Sequence, residues 1–412
     1  MAVVKPFRGL RPLPELAEKV ASPPYDVLSS EEARELAKGN PYSFLYVIKP
    51  EIDLPEGIDL YDDRVYAKGK EHLDRLCREG VLRQDDKPCF YIYKQKMGDH
   101  LQIGLVACAS VDDYERDVIK KHEHTREEKE IDRARHIYTL NANTGPVFLT
   151  YPAVEDIDKL IQRAMEREPV YDFESDGVRH TFYVVDDPFL TDALESAFRN
   201  VPVLYVADGH HRSAAATRVR KMKAEENPDH TGDEEYNYFL VVIFPHNQMK
   251  IMDYNRVVKD LNGLGVEEFF RKIEEKFSVE EWGGQYKPDT PHTFGMYIGG
   301  KWYRLTAKQG TFDEDDPVLS LDVSILQENL LAPVLGISDP RKDKRINFVG
   351  GIRGLGDLER LVDSGEYKVA FAVYPTTINQ LMAIADAGKV MPPKSTWFEP
   401  KLKSGLVIHT FD

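Results

Sequence analysis

The stretch that most constrains the fold is Val203-Leu204-Tyr205-Val206-Ala207, an apolar run that passes without a spacer into Asp208-Gly209-His210-His211-Arg212 and then into Ser213-Ala214-Ala215-Ala216. A short apolar run ending at a glycine reads as a buried strand. The alanines after it read as a helix over 213–225. A strand that turns through one glycine into a helix belongs to a layered α/β fold. Such a junction also presents the first amide N–H groups of the helix, which have no partner inside it. Those donors and the helix dipole favour a bound anion. Gly209 lets the backbone approach a phosphate closely, and Arg212 can fork onto two phosphate oxygens. Gly209, His210, His211, Arg212 and Ser213 are therefore the candidate phosphate-holding residues. Asp208 would repel a phosphate unless a metal or a proton intervened, so it reads as a magnesium ligand or as a base facing an incoming hydroxyl. Against this stands an ordinary turn with an ordinary helix cap.

Around that junction strand and helix signals alternate, which predicts mixed α/β layering. Helices are expected over 27–38, with Ser29 and Ser30 as possible caps and Glu31 and Glu32 in the first turn, and over 62–80, ending at a glycine. A strand is expected over 43–48 and a hairpin over 89–110, turning at 97–100. One long charged helix is expected over 110–141, and further helices over 266–279, 319–336 and 377–388. At 412 residues the chain suits two domains. The predicted division is 1–250, with an insertion at about 50–200, and 251–412, a C-terminal α/β extension whose tail folds back to complete the site.

Three further segments carry chemistry-bearing side chains. His122-Glu123-His124-Thr125-Arg126 falls in the charged helix, where His122 and Arg126 share a face. Its spacing is not that of a zinc-binding HExxH motif, and a solvated helix with ordinary ion pairs accounts for most of these residues. Lys394-Ser395-Thr396 follows two prolines and could grip phosphate or a carboxylate. If the tail folds back, Lys394 and Lys401 add positive charge that the motif lacks. Ser22-Pro23-Pro24-Tyr25-Asp26 is a stiff turn in which Tyr25 and Asp26 could read the amine of an amino acid.

A net charge of −16 disfavours general nucleic-acid binding, though not a local basic pocket. No apolar run approaches the ~18–20 residues that span a bilayer. The N-terminus lacks the apolar stretch of a secretion signal, which points to the cytoplasm. Cys77, Cys89 and Cys108 lack CxxC spacing and read as separate thiols. A homodimer is left open.

The segment PVLYVADGHHRSAAA resembles the phosphate-holding motif of the ParB/sulfiredoxin-like superfamily, and DGHHR is closest to its free serine kinases. A longer resemblance runs through SPPYDVLSSEEARELAKGNPYSFLYVIKPE, KKHEHTREEKEIDR, VADGHHRSAAA and MPPKSTWFEPKLKSGLV, which look like the family called domain of unknown function 1015. The first resemblance implies a ParB/sulfiredoxin-like core and a kinase that uses ATP or ADP with Mg2+ to phosphorylate a small molecule, L-serine in the named kinases. It places Asp208 at the motif aspartate and Gly209 to Arg212 at the phosphate-holding positions. The kinases' N-terminal catalytic glutamate falls by position on Glu31 or Glu32. Glu123 is a candidate base or metal ligand because the longer resemblance includes its segment. Two other classes remain: a nucleotide-dependent switch that phosphorylates no metabolite, and a sulfiredoxin-type reductase, which would need a cysteine that residues 208–212 lack.

Overall fold

A computed structural model describes residues 1–412. The chain forms two units, residues 1–249 with 400–412, and residues 250–399. The first unit is thus closed by thirteen residues that return to it after the second unit.

The first unit is built on a nine-stranded mixed sheet. Its order runs Ile119–Lys120, Leu204–Asp208, Val147–Tyr151, Tyr238–Pro245, His100–Ser110, Phe90–Met97, Val178–Val185, Tyr171–Ser175, with Val4–Lys5 pairing on His100–Ser110. Two neighbouring pairs are parallel, Leu204–Asp208 on Ile119–Lys120 and Tyr238–Pro245 on Val147–Tyr151; the other pairs are antiparallel. The strand before the motif is buried as its composition requires: Leu204 and Val206 are fully buried in the main core. Each such side chain contributes about 1.5–3 kcal/mol. A smaller sheet pairs Leu82–Gln84, Gly9–Pro12, Ile408–Thr410 and Ala142–Asn143, which ties the returning tail to the N-terminal segment.

The helix after the motif runs His210–Glu226, three residues earlier than the alanines suggest. Its apolar side is small. Ala215 and Val219 pack against Ala134 and Ile137 of helix Glu127–Leu140, and short side chains let two helices approach closely.

The single helix expected over 110–141 is broken. Val111–Glu115 is one short helix, Ile119–Lys120 is an edge strand beside the motif strand, and Glu127–Leu140 is a second helix. Asp117 sits at φ 62°, a left-handed turn that ends the first helix. The His122–Arg126 segment is therefore a loop, and the shared helix face of His122 and Arg126 does not exist. The strand expected over 43–48 is a helical turn, Leu45–Ile48. Phe44, Leu45, Val47 and Ile48 are all buried, and an apolar run without alternation does not distinguish a buried strand from a buried helix. Helix Ser30–Ala37 opens on the expected Ser29, with a complete capping box from Glu32.

The second unit holds a six-stranded antiparallel sheet ordered Phe277–Trp282, Lys301–Ala307, Thr293–Ile298, Val369–Val373, Tyr254–Val258, Ile346–Gly350. Here the helix expected over 319–336 shrinks to Asp322–Leu326 followed by a π turn, Gln327–Leu331, and that expected over 266–279 stops at Ile273 so that Phe277–Trp282 can pair as an edge strand. No helix in the chain is long and apolar enough to cross a membrane.

Candidate anion-binding site at a strand–glycine–helix junction

The pairing of the motif strand with Val147–Tyr151 slips between Val206 and Asp208, where Ala207 has no opposite number. A bulge of this kind re-aims the side chain that follows it. The chain then passes through Gly209, at φ 99° and ψ 29°, and enters the helix with no side-chain cap. A side chain at this glycine would also be crowded: its Cβ would lie 3.1–3.2 Å from the Nε, Cζ and one terminal nitrogen of Arg212. The Arg212 guanidinium is thus folded back under the turn.

Arg212 is largely buried. One terminal nitrogen donates to the Pro146 carbonyl. The other lies 4.0 Å from carboxylate oxygens of both Asp26 and Asp208, beyond hydrogen-bond reach. Its Nε is buried without a hydrogen-bond partner. Burial would lower the guanidinium, but Asp26 and Asp208 hold it above its ordinary value, so it stays charged. A buried, charged donor left unsatisfied is costly unless an acceptor arrives.

Asp208 is half-buried and meets Lys401 of the returning tail, whose Nζ donates to Oδ2 at 3.0 Å. Burial alone would raise the Asp208 carboxyl. Lys401 and Arg212 overcome that and hold it well below the ordinary carboxylate range. Lys401 is itself fixed from behind. Its carbonyl accepts from Gln95 Nε2 at 2.9 Å, and Gln95 accepts from Gln102 at 2.9 Å, both glutamines being fully buried. Two residues on, Lys403 is clamped by Asp176 at 2.6 Å and by Ser175 at 3.1 Å.

The loop carrying His122 and Glu123 lies across the first turn of the helix. The backbone N–H of Arg126 donates to His211 Nε2 at 3.1 Å, and that of His122 approaches His210 Nε2 at 3.5 Å. The His122 and His210 rings meet edge to face at 4.4 Å. Glu123 Oε2 is 3.8 Å from His210 Nδ1. Burial pushes His122 down to about 4. Burial and then His122 push His210 well below its ordinary value, so both rings are neutral.

Behind the motif is a cavity of about 30 Å³, room for a water or two, lined by Tyr25, Arg133, His136, Asn143, Ser404 and Arg212 among others. The Arg133 guanidinium stacks 4.2 Å over the Tyr25 ring. Burial, with Asp26 adding to it, pushes the Tyr25 phenol up to about 12, so it is a neutral donor.

The structure therefore gathers Tyr25, Asp26, Glu123, Asp208, Gly209, His210, His211 and Arg212 around one helix start and adds Lys401. Ser213 is buried one turn in, its hydroxyl directed back to the Gly209 carbonyl at 3.3 Å. Glu32 uses its carboxylate in the capping box with Ser29, and Glu31 lines a separate surface cavity of 330 Å³ with Arg34 and Glu51. Lys394, Ser395 and Thr396 belong to the second unit. There the Ser395 hydroxyl donates to the Pro392 carbonyl at 2.6 Å, and the Lys394 carbonyl accepts from Arg256 at 3.1 Å. His136, Asn143 and Ser404 had no signal of their own in the sequence, although Arg133, His136 and Ile137 share a helical face by their spacing. No group of three or more His, Cys, Asp or Glu comes together to hold a metal. Asp208, expected as a magnesium ligand or base, is paired with Lys401.

Fold and site together define an α/β protein whose strand–glycine–helix junction gathers arginine, lysine and carboxylate side chains around an uncapped helix start. Residues 4–324 match the family described as Protein of unknown function (DUF1015), and the chain belongs to that family. Comparison with curated proteins gave no match. Among solved structures, the chain is similar to a conserved hypothetical protein from Pyrococcus furiosus at 16% identity, over 74% of this chain and 95% of that one, with a TM-score of 0.36. A free serine kinase in complex with AMP matches at 14% identity, over 74% and 92% of the two chains, with a TM-score of 0.36. SbnI with a C-terminal truncation, from Staphylococcus aureus, matches at 11% identity, over 73% and 85%, again with a TM-score of 0.36. At these scores the superpositions define no residue correspondence.

Proposed function

We propose that the first unit is a nucleotide-dependent phosphotransferase acting on a small hydroxylated metabolite, with free L-serine as the first acceptor to test. The observation that carries this reading is the buried, charged and unsatisfied Arg212 Nε at the uncapped start of helix His210–Glu226. Amide N–H groups at an uncapped helix start and a charged guanidinium beside them suit a phosphate. The resemblance of DGHHR to the free serine kinases supplies the acceptor. In this reading Mg2+ enters with the nucleotide substrate, ATP or ADP.

In the reaction the acceptor oxygen forms a bond to the terminal phosphorus as the bond to the leaving phosphate oxygen breaks. The hydroxyl proton passes to Asp208, with Glu123 as the other carboxylate at the site. Phosphoryl transfer needs mainly positioning and charge stabilisation, which Arg212 and the helix start provide. In this reading Tyr25 and Asp26, beside Arg212, bind the acceptor's amine.

The test is mass spectrometry of L-serine and a metabolite mixture incubated with the protein, Mg2+ and ATP or ADP. A new phosphorylated species is expected. Asp208→Asn should reduce its formation by roughly 10²–10⁴-fold, the usual range for a lost general base. The fold should persist, because a partly exposed ion pair contributes only about 0–1 kcal/mol. Nucleotide binding or hydrolysis with no phosphorylated metabolite would establish the switch instead.

A further inference from the structure

Lys401 lies outside the segment matched by the family, 193 residues from its partner Asp208, and neither the motif nor the family assigns it a role. Its ammonium closes on the carboxylate at 3.0 Å while Arg212 stays 4.0 Å away. Its backbone is fixed through the buried Gln95–Gln102 pair, and the tail beyond it is fastened by Lys403 to Asp176 and by pairing of Ser404 with Ser22. Anchorage at its carbonyl and just beyond it holds the backbone in place, whereas the long, flexible Lys side chain keeps a movable point charge at its end.

Two features of the pair conflict with a static role. An ammonium at hydrogen-bond distance shields Asp208 from a hydroxyl, and a carboxylate held this strongly in its ionised form is a poor proton acceptor. The same carboxylate, with Asp26 nearby, opposes entry of an anionic phosphate at Arg212. A single movement resolves both, with the ammonium leaving the carboxylate for the phosphate.

We infer that Lys401 is an exchangeable counter-ion: it pairs with Asp208 in the empty site and transfers to a nucleotide phosphate when one binds, which uncovers Asp208. This rests on the proposed nucleotide binding at the same site. Lys401 then touches substrate directly, and Asp208 becomes able to accept a proton only when the donor phosphate is present.

The experiment is a double-substitution cycle read by calorimetry with Mg·ADP, on full-length protein whose melting curve is recorded for each variant. Lys401→Met should weaken binding at least 10-fold, and Lys401→Arg, which keeps the charge, should stay within about 5-fold of the parent. Asp208→Asn should bind Mg·ADP at least 5-fold more tightly than the parent, because its lysine is already released. That gain should vanish in the Asp208→Asn, Lys401→Met double variant. A gain of the same size in both backgrounds would reflect only the removal of a negative charge and would overturn the exchange. Parent-like affinity in Lys401→Met would overturn it too. In either of these outcomes the parent still binds nucleotide and the phosphotransferase reading stands. If neither the parent nor Asp208→Asn binds Mg·ADP or Mg·ATP, the nucleotide reading itself fails and the exchange falls with it.

Discussion

At Gly209 the backbone stands at φ 99°, a region that residues with a side chain adopt at a cost of about 1–2 kcal/mol, and the missing Cβ is what leaves room for the Arg212 guanidinium. Conformation and space thus make separate demands on one residue. Gly209→Ala should therefore act twice. The strained turn should lower the melting temperature by about 2–8 °C. Displacement of the guanidinium should weaken nucleotide binding by at least 10-fold, measured by calorimetry. Loss of stability with unaltered affinity would show that Arg212 does not need its present place. Asp208 shows the same economy on the electrostatic side. Its two oxygens face different cations, one at hydrogen-bond distance and one beyond it, so its state depends on which cation a ligand removes.

The elements around the motif are held by their ends. The loop over the helix start is fixed where backbone N–H groups meet Nε2 of His210 and His211, which requires both nitrogens to be unprotonated. His211→Phe keeps the ring and removes the acceptor. Hydrogen exchange at the Arg126 amide should then accelerate roughly 5–10-fold, the value of one net hydrogen bond, while strand Tyr238–Pro245 stays protected. Unchanged exchange at Arg126 would show that the loop is held by something else. These elements also show what could be read from the sequence. The motif strand, the 89–110 hairpin and the Ser29 cap have local causes, namely burial on two faces, a glycine turn and a serine three residues before Glu32. The 110–141 segment does not. Its break at Asp117 exists because Ile119–Lys120 pairs with a strand some 85 residues later, Leu204 on Ile119. No helical propensity within the segment encodes that partner. The Leu45–Ile48 turn failed for a related reason, since continuous apolar residues fit either structure when every face is buried.

Across the molecule, buried histidines link stability to acidity. Burial, as the leading cause, pushes His122, His136 and His180 of the first unit each down to about 4, from an ordinary value near 6.5. Between those two values the unfolded chain takes up protons that the folded chain does not. Acidification through that window therefore favours unfolding, and each residue forfeits about 3 kcal/mol by its end. Above pH 6.5 these residues contribute no pH dependence. The melting temperature should be level there and fall steeply from pH 6.5 towards 4. A level curve down to pH 4.5 would mean that the three rings are not held neutral. Of the candidate site, residues 208–212 and the Tyr25–Asp26 turn were legible because each is contiguous and has its own chemistry. Lys401 was visible only as a charge that a returning tail would bring, since nothing near it in the sequence names its partner.

The distance between Asp208 and Lys401 along the chain has a temporal meaning as well. A ribosome working at about 5–20 residues per second needs roughly 10–40 s to travel from one to the other. Throughout that interval the nascent chain carries residues 208–212 but not yet the lysine that pairs with Asp208. The Asp208–Lys401 pair therefore cannot form until translation has passed through the whole intervening unit, so a half-made chain carries the carboxylate without its counter-charge.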